Sequence, residues 1–108
     1  HHYHARSHEI LGIAAGSVDV QFGGPGGPVV TLTAGDAVAI PAGVSHCRRS
    51  ESAGLSVVGA YPRGQEDWDL KRATEADRTQ ALEEIPKVAL PDSDPIAGRN
   101  GRLVELWR

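Results

Sequence analysis

The sequence predicts an all-β fold carrying one short helix and an extended C-terminal tail. Three observations carry that reading. Glycine and proline cut the first half into short apolar runs. Those runs are built from valine, isoleucine, leucine and threonine, and the whole chain of 108 residues holds only two Trp, two Tyr and one Phe. Finally, Val18, Val20 and Phe22 alternate with Ser17, Asp19 and Gln21 at the two-residue period of a half-buried strand.

The elements follow in order. Residues 10–15 are apolar throughout and read as a strand, turned at Gly16 into a second over residues 18–22. Glycine is entropically costly and proline lacks a ladder donor, so GGPGGP at residues 23–28 is a hairpin tip. Residues 29–33 are β-branched and strand-like. Ala34, Gly35 and Asp36 turn the chain into a short strand over residues 37–40, which Pro41, Ala42 and Gly43 end. A further strand occupies residues 55–61, and His46 is delivered onto a strand between them. Five or six strands within about sixty residues is the spacing of a sandwich or barrel, and excludes alternating βα units.

The second half differs. Residues 62–69 are polar and turn-rich, while residues 74–85 read as a helix with Thr74 as N-cap and Asp77 in an acidic first turn. Pro86, Pro91 and Pro95 then impose an extended path. Residues 102–107 alternate Leu103, Glu105 and Trp107 against Val104 and Leu106, which predicts a closing strand in a tail packed outside the barrel. The reading is thus a single domain over 1–108, with a barrel over about 1–61 and a helix and tail over 62–108. The chain opens directly on histidines and contains no methionine, so a natural N-terminal segment, with a leading strand, is expected to precede it.

Composition narrows the partners. A net charge of -3 without a basic cluster gives no footprint for nucleic acid. Cys47 stands alone, which excludes an intrachain disulfide framework and makes a reducing, cytoplasmic setting the expectation. No apolar run reaches the roughly 18 to 20 residues that cross a bilayer as a helix, so no membrane partner is expected.

The chemistry gathers in two places. His2 and His4 share one face of an extended segment, because alternate residues do, and two adjacent imidazoles make a metal clamp. Glu9 follows with a carboxylate that can close the coordination sphere; His8 is the alternative, although it lies on the opposite strand face. Far along the chain, turns at Gly35 and at Pro41 to Gly43 bring in His46. Cys47 points away from whatever His46 faces and reads as a small buried apolar residue. His1 receives no role.

These residues form H-x-H-x4-E-x6-G on His2, His4, Glu9 and Gly16, and G-x5-P-x-G-x2-H on Gly35, Pro41, Gly43 and His46, separated by 18 residues. Both are similar to the two motifs of the cupin superfamily, and the tail, with LPDSDPIAG and GRLVELW, resembles that of uncharacterised small bacterial single-domain cupins. Ser50 stands where the second motif usually has asparagine, which is not a ligand. The resemblance implies a jelly-roll β-barrel with one divalent transition metal (iron, manganese, nickel, copper or zinc) on His2, His4, Glu9 and His46. It also implies a homodimer.

A nitrogen and oxygen donor set without thiolate argues against a closed structural zinc site and for open positions. Leu11, Ile13, Val38 or Ile40, and Val57 are expected to line the barrel and favour a small organic ligand. The expected function is a metal-dependent dioxygenase or isomerase acting on a small oxygenated molecule. The alternative is a non-catalytic module that binds a sugar or metabolite. Tyr61 and His8 are the titratable groups nominated beside the metal, and Trp68 and Trp107 the aromatics of a partner-binding surface.

Overall fold

The computed structural model describes residues 1–107. Six strands form: β1 (Glu9–Ala15), β2 (Ser17–Phe22), β3 (Val29–Thr33), β4 (Ala37–Ile40), β5 (His46–Glu51) and β6 (Ser56–Ala60). They make two antiparallel three-stranded sheets, ordered β4-β1-β6 and β3-β2-β5. Among the described residues no ladder joins the two, so the strands are barrel-like in order without closing into one sheet.

Period-two patterning explains how the sheets meet. Ile13 on β1, Val18 and Val20 on β2 and Leu32 on β3 are buried together, with Phe22, Val38, Leu55 and Val57 packed against them. Both sheets contribute, so the core lies between them. Gly16 makes the β1 to β2 turn at φ +79, in the left-handed region, and a Cβ there would meet Ser52 Oγ at 2.7 Å. Thr33 N donates to Asp36 Oδ2 at 2.8 Å, fixing the turn between β3 and β4.

β5 carries the polar sequence HCRRSE, and its pairing with β2 sets it in place. The ladder aligns Phe22 with His46 and Val20 with Arg48, so both β5 side chains face the intersheet space. Cys47 is half-buried on the opposite face, where its thiol donates to the Arg48 carbonyl.

Helix α1 (Glu75–Glu84) starts at Thr74, whose hydroxyl accepts from Asp77 N, with Glu75 and Asp77 in the first turn. A 3₁₀ turn over Ile85–Lys87 continues it. The closing strand expected over residues 102–107 is instead helix α2 (Arg102–Leu106). The reason is local: Asp94 Oδ2 accepts from Leu103 N at 3.1 Å, capping a free helical N–H. No helix among the described residues is long and apolar enough to cross a membrane.

Candidate metal centre

Main-chain pairing places the first two donors. His2 and His46 form an antiparallel bridge, with His2 N donating to the His46 carbonyl at 3.1 Å and His46 N to the His2 carbonyl at 2.9 Å. Directly opposed residues hold their side chains close, and the two rings stand 4.2 Å apart, edge to face. Tyr3 bridges in turn to Lys71, so the short segment at the N-terminus is pinned on both sides.

His4 and Glu9 are placed by turns. The His4 carbonyl accepts from Gly43 N at 2.8 Å, and Gly43 adopts φ +90, which is why the PAG turn ends on glycine. Glu9 opens β1 on the same face as Leu11 and Ile13. The ring nitrogens of His2, His4 and His46 all lie within 4.8 Å of one another. Glu9 Oε2 stands 3.0 Å from His4 Nε2 and 3.3 Å from His46 Nε2. The structure therefore brings His2, His4, Glu9 and His46 together, with all but half-buried His2 buried.

The electrostatics favour a cation at this point. Burial together with the neighbouring His46 and His4 pulls the His2 imidazole down to about 4, so it is neutral at pH 7. Burial pushes the Glu9 carboxyl up, but hydrogen bonds from His4 and His46 outweigh it and hold the group at about 2. His4 is raised by its hydrogen bond to Glu9 against the opposing effect of burial. Its Nδ1 faces the Asp69 carbonyl and its Nε2 faces Glu9, so both ring nitrogens meet acceptors, which without a metal requires an imidazolium. One carboxylate oxygen faced by two ring nitrogens needs either a hydrogen on each nitrogen or a metal ion between them. Imidazole nitrogens on one tetrahedral ion stand about 3.4 Å apart, so the three rings, whose nitrogens lie within 4.8 Å of one another, would draw together to hold one.

The surroundings hold these groups from outside. Tyr61 donates its hydroxyl hydrogen to Glu9 Oε1 at 3.2 Å; burial and the Glu9 charge push its own pKa to about 12, so it stays protonated. Trp68 stacks on Tyr61 and meets His4 edge to face. Asp69, whose carboxylate accepts from Ala5 N and Arg6 N at 3.0 Å each, fixes the loop after His4. The sequence reading missed Asp69 because nothing in its neighbourhood marks a partner 65 residues away.

His8 is elsewhere. It is buried, its Nδ1 accepts from Ala42 N at 2.9 Å, and its ring meets Trp107 edge to face. It borders an outer cleft of about 590 Å³ between β1, the end of β6 and the tail. Inside, a cavity of about 220 Å³ runs from His2, Glu9 and His46 along Leu11, Ile13 and Val57 to Arg48. Ile40 and Val38 do not border it: Ile40 is buried, and Val38 packs behind as part of the core.

Residues 1–58 match the Cupin domain family. The chain belongs to the cupin family. This cupin is also 42% identical over 107 residues to the uncharacterized protein YjlB of Bacillus subtilis (strain 168), a match covering 99% of this chain and 64% of the relative. The chain thus spans less than two thirds of that relative's length. No solved structure gives a significant match to this cupin. Its histidine cluster is compatible with the metal that cupin domains often bind.

Proposed function

We propose that this cupin binds one divalent transition metal through His2, His4, Glu9 and His46, and admits a small oxygenated organic molecule into the cavity between its sheets. The observation that carries the reading is the convergence of three imidazoles within 4.8 Å on a buried carboxylate. On this reading the two sheets are the halves of a jelly-roll barrel. A metal held there would supply Lewis-acid polarisation of a ligand oxygen, the chemistry of an isomerase, and a redox-active one such as iron would in addition supply the dioxygen chemistry of a dioxygenase.

The chain's own residues do the rest. The Asp69 carbonyl orients the His4 ring through Nδ1 so that Nε2 faces inward, the usual way a second contact sets a ligand's tautomer. Tyr61 occupies Glu9 Oε1 and leaves Oε2 directed at the histidines. Leu11, Ile13, Val18, Val20, Leu32 and Val57 keep the cavity apolar, which strengthens the few polar contacts made in it.

A second reading, a non-catalytic module that binds a metabolite, has one observation in its favour. The two nominated acid-base groups are not free in the cavity: Tyr61 is committed to Glu9, and His8 lies on the outer side of β1. Elemental analysis of untagged protein tests the metal. About one ion per chain is expected, with His4→Ala and His46→Ala losing it while keeping the wild-type circular dichroism spectrum. Full occupancy in either variant overturns the ligand assignment, and no uptake under any loading condition leaves the binding module.

A further inference from the structure

The cavity between the sheets has two chemically different ends. At its base stand His2, Glu9 and His46; its walls are apolar; and Arg48 is the one cationic side chain that borders it. Arg48 is in that position because β5 alternates. His46 and Arg48 share the inward face, opposite Phe22 and Val20 of β2, and two residues of strand separate them by about 7 Å. The Arg48 side chain is 53% exposed, so it sits at the mouth, where a ligand passes it on the way in.

The only partner of the Arg48 guanidinium among the described residues is Glu51, whose carboxylate oxygens lie 3.3 and 3.4 Å from Nη1. Both side chains are about half exposed. Pairs of that kind contribute little, because water screens them and two long side chains must be ordered. The guanidinium is therefore free to turn toward an anion in the cavity, and its planar fork matches a carboxylate.

We propose that Arg48 determines specificity by binding the carboxylate of a small acid whose opposite end carries the oxygen donors for the metal. This rests on the metal-site reading above. Size and polarity define the acid further. A volume of about 220 Å³ equals roughly seven water molecules, which admits one small ring with its substituents and excludes an oligosaccharide. The apolar walls require an unsubstituted hydrocarbon middle. The roughly 7 Å of strand between His46 and Arg48 sets the distance between the two polar ends. A para-related oxygen and carboxylate on one aromatic ring meet all three requirements.

Catechol and 3,4-dihydroxybenzoate share a chelating head and differ by that carboxylate, so the pair isolates the contribution of Arg48. Both are titrated by calorimetry into the zinc-loaded chain, with zinc per chain measured on the same samples. The wild type is expected to bind 3,4-dihydroxybenzoate about tenfold more tightly than catechol, the lower end for a charge-assisted pair because Arg48 is half exposed. In R48Q that preference disappears while catechol binding is unchanged. In E51Q, which removes the competing carboxylate, the preference widens, an effect a merely structural surface pair would not produce. Equal affinities in the wild type, no binding of either compound to the zinc-loaded chain, or a preference that survives R48Q overturns the proposal. A chain that takes up no zinc overturns the metal reading and this one with it, and the zinc ratio distinguishes that failure from the others.

Discussion

Residues 1–61 and residues 62–107 are held in place by different means. In the first, ladder register does the positioning: β1 sets Glu9 beside Leu11 and Ile13 on one face, and a single antiparallel bridge puts His2 against His46. In the second, side-chain oxygens bound to main-chain amides take over. Asp69 holds Ala5 N and Arg6 N, Thr74 caps α1, and Asp94 gathers Ile96 N, Ala97 N and Leu103 N. Ladders spread their stabilisation over many bonds and share it with the core; a carboxylate turn depends on one side chain. Single substitutions should therefore act globally in the first region and locally in the second.

The largest effect tests the first half of that contrast. Ile13 is 4% exposed at the centre of the intersheet core. Ile13→Ala removes buried methylenes and leaves a cavity beside β2, which costs about 3 kcal/mol. Urea denaturation measures it. A loss below about 1 kcal/mol would mean that the two sheets do not share one core.

Asp69→Ala comes next, and it asks whether the candidate metal centre ends at residue 61. The carboxylate sits beside Lys71 Nζ at 3.6 Å, and Lys71 also reaches Glu84 at 3.3 Å on α1. Losing a charged acceptor of two amides costs about 2 kcal/mol. Freeing the loop that carries His4 should also weaken metal affinity by about 10 to 100-fold, as for other contacts that orient a ligand. Competition against a chromophoric chelator reads the affinity. Unchanged affinity would confine the centre to the sheets.

Much of the candidate centre was legible in the sequence. A period of two puts His2 and His4 on one face, and the resemblance to the two cupin motifs joins Glu9 and His46 to them. The support from Trp68 and Asp69 was not legible, because residues 62–73 have no period and their contacts reach back more than sixty positions. Residues 102–107 mislead in the same way: LVELW satisfies a strand alternation as well as a helical face, and the distant carboxylate of Asp94 decides between them. β5 was only half visible, since HCRRSE has no apolar run and is set by pairing with β2.

Thr74→Ala sharpens the comparison at a smaller scale. The Thr74 hydroxyl accepts from Asp77 N at 3.2 Å, and its loss costs about 1 kcal/mol. Because Lys71 links α1 to Asp69, a small fall in metal affinity should accompany it. An equal loss of stability with unaltered affinity would show that α1 supports the fold alone.

The smallest effect belongs to Asp94, and it decides whether the tail is a unit of its own. Hydrogen bonds from Ala97 N, Ile96 N and Leu103 N hold its carboxyl below the usual range, against little burial. Gly101 approaches so closely that a Cβ there would stand 2.2 Å from Asp94 Cβ, so the carboxylate and the start of α2 are packed directly together. A depressed native pKa means that this contribution is present above the unfolded carboxyl pKa and is lost as pH falls through the lower native value. In Asp94→Asn one acceptor oxygen becomes a donor, so the amide it served loses its partner at every pH. Hydrogen exchange at Ile96, Ala97 and Leu103 should therefore quicken severalfold in the variant at pH 7, with no change at the amides of β1 and β2. In the wild type the same loosening should appear only on acidification. If the β1 and β2 amides quicken as well, the tail folds with the sheets and the contrast between the two regions fails.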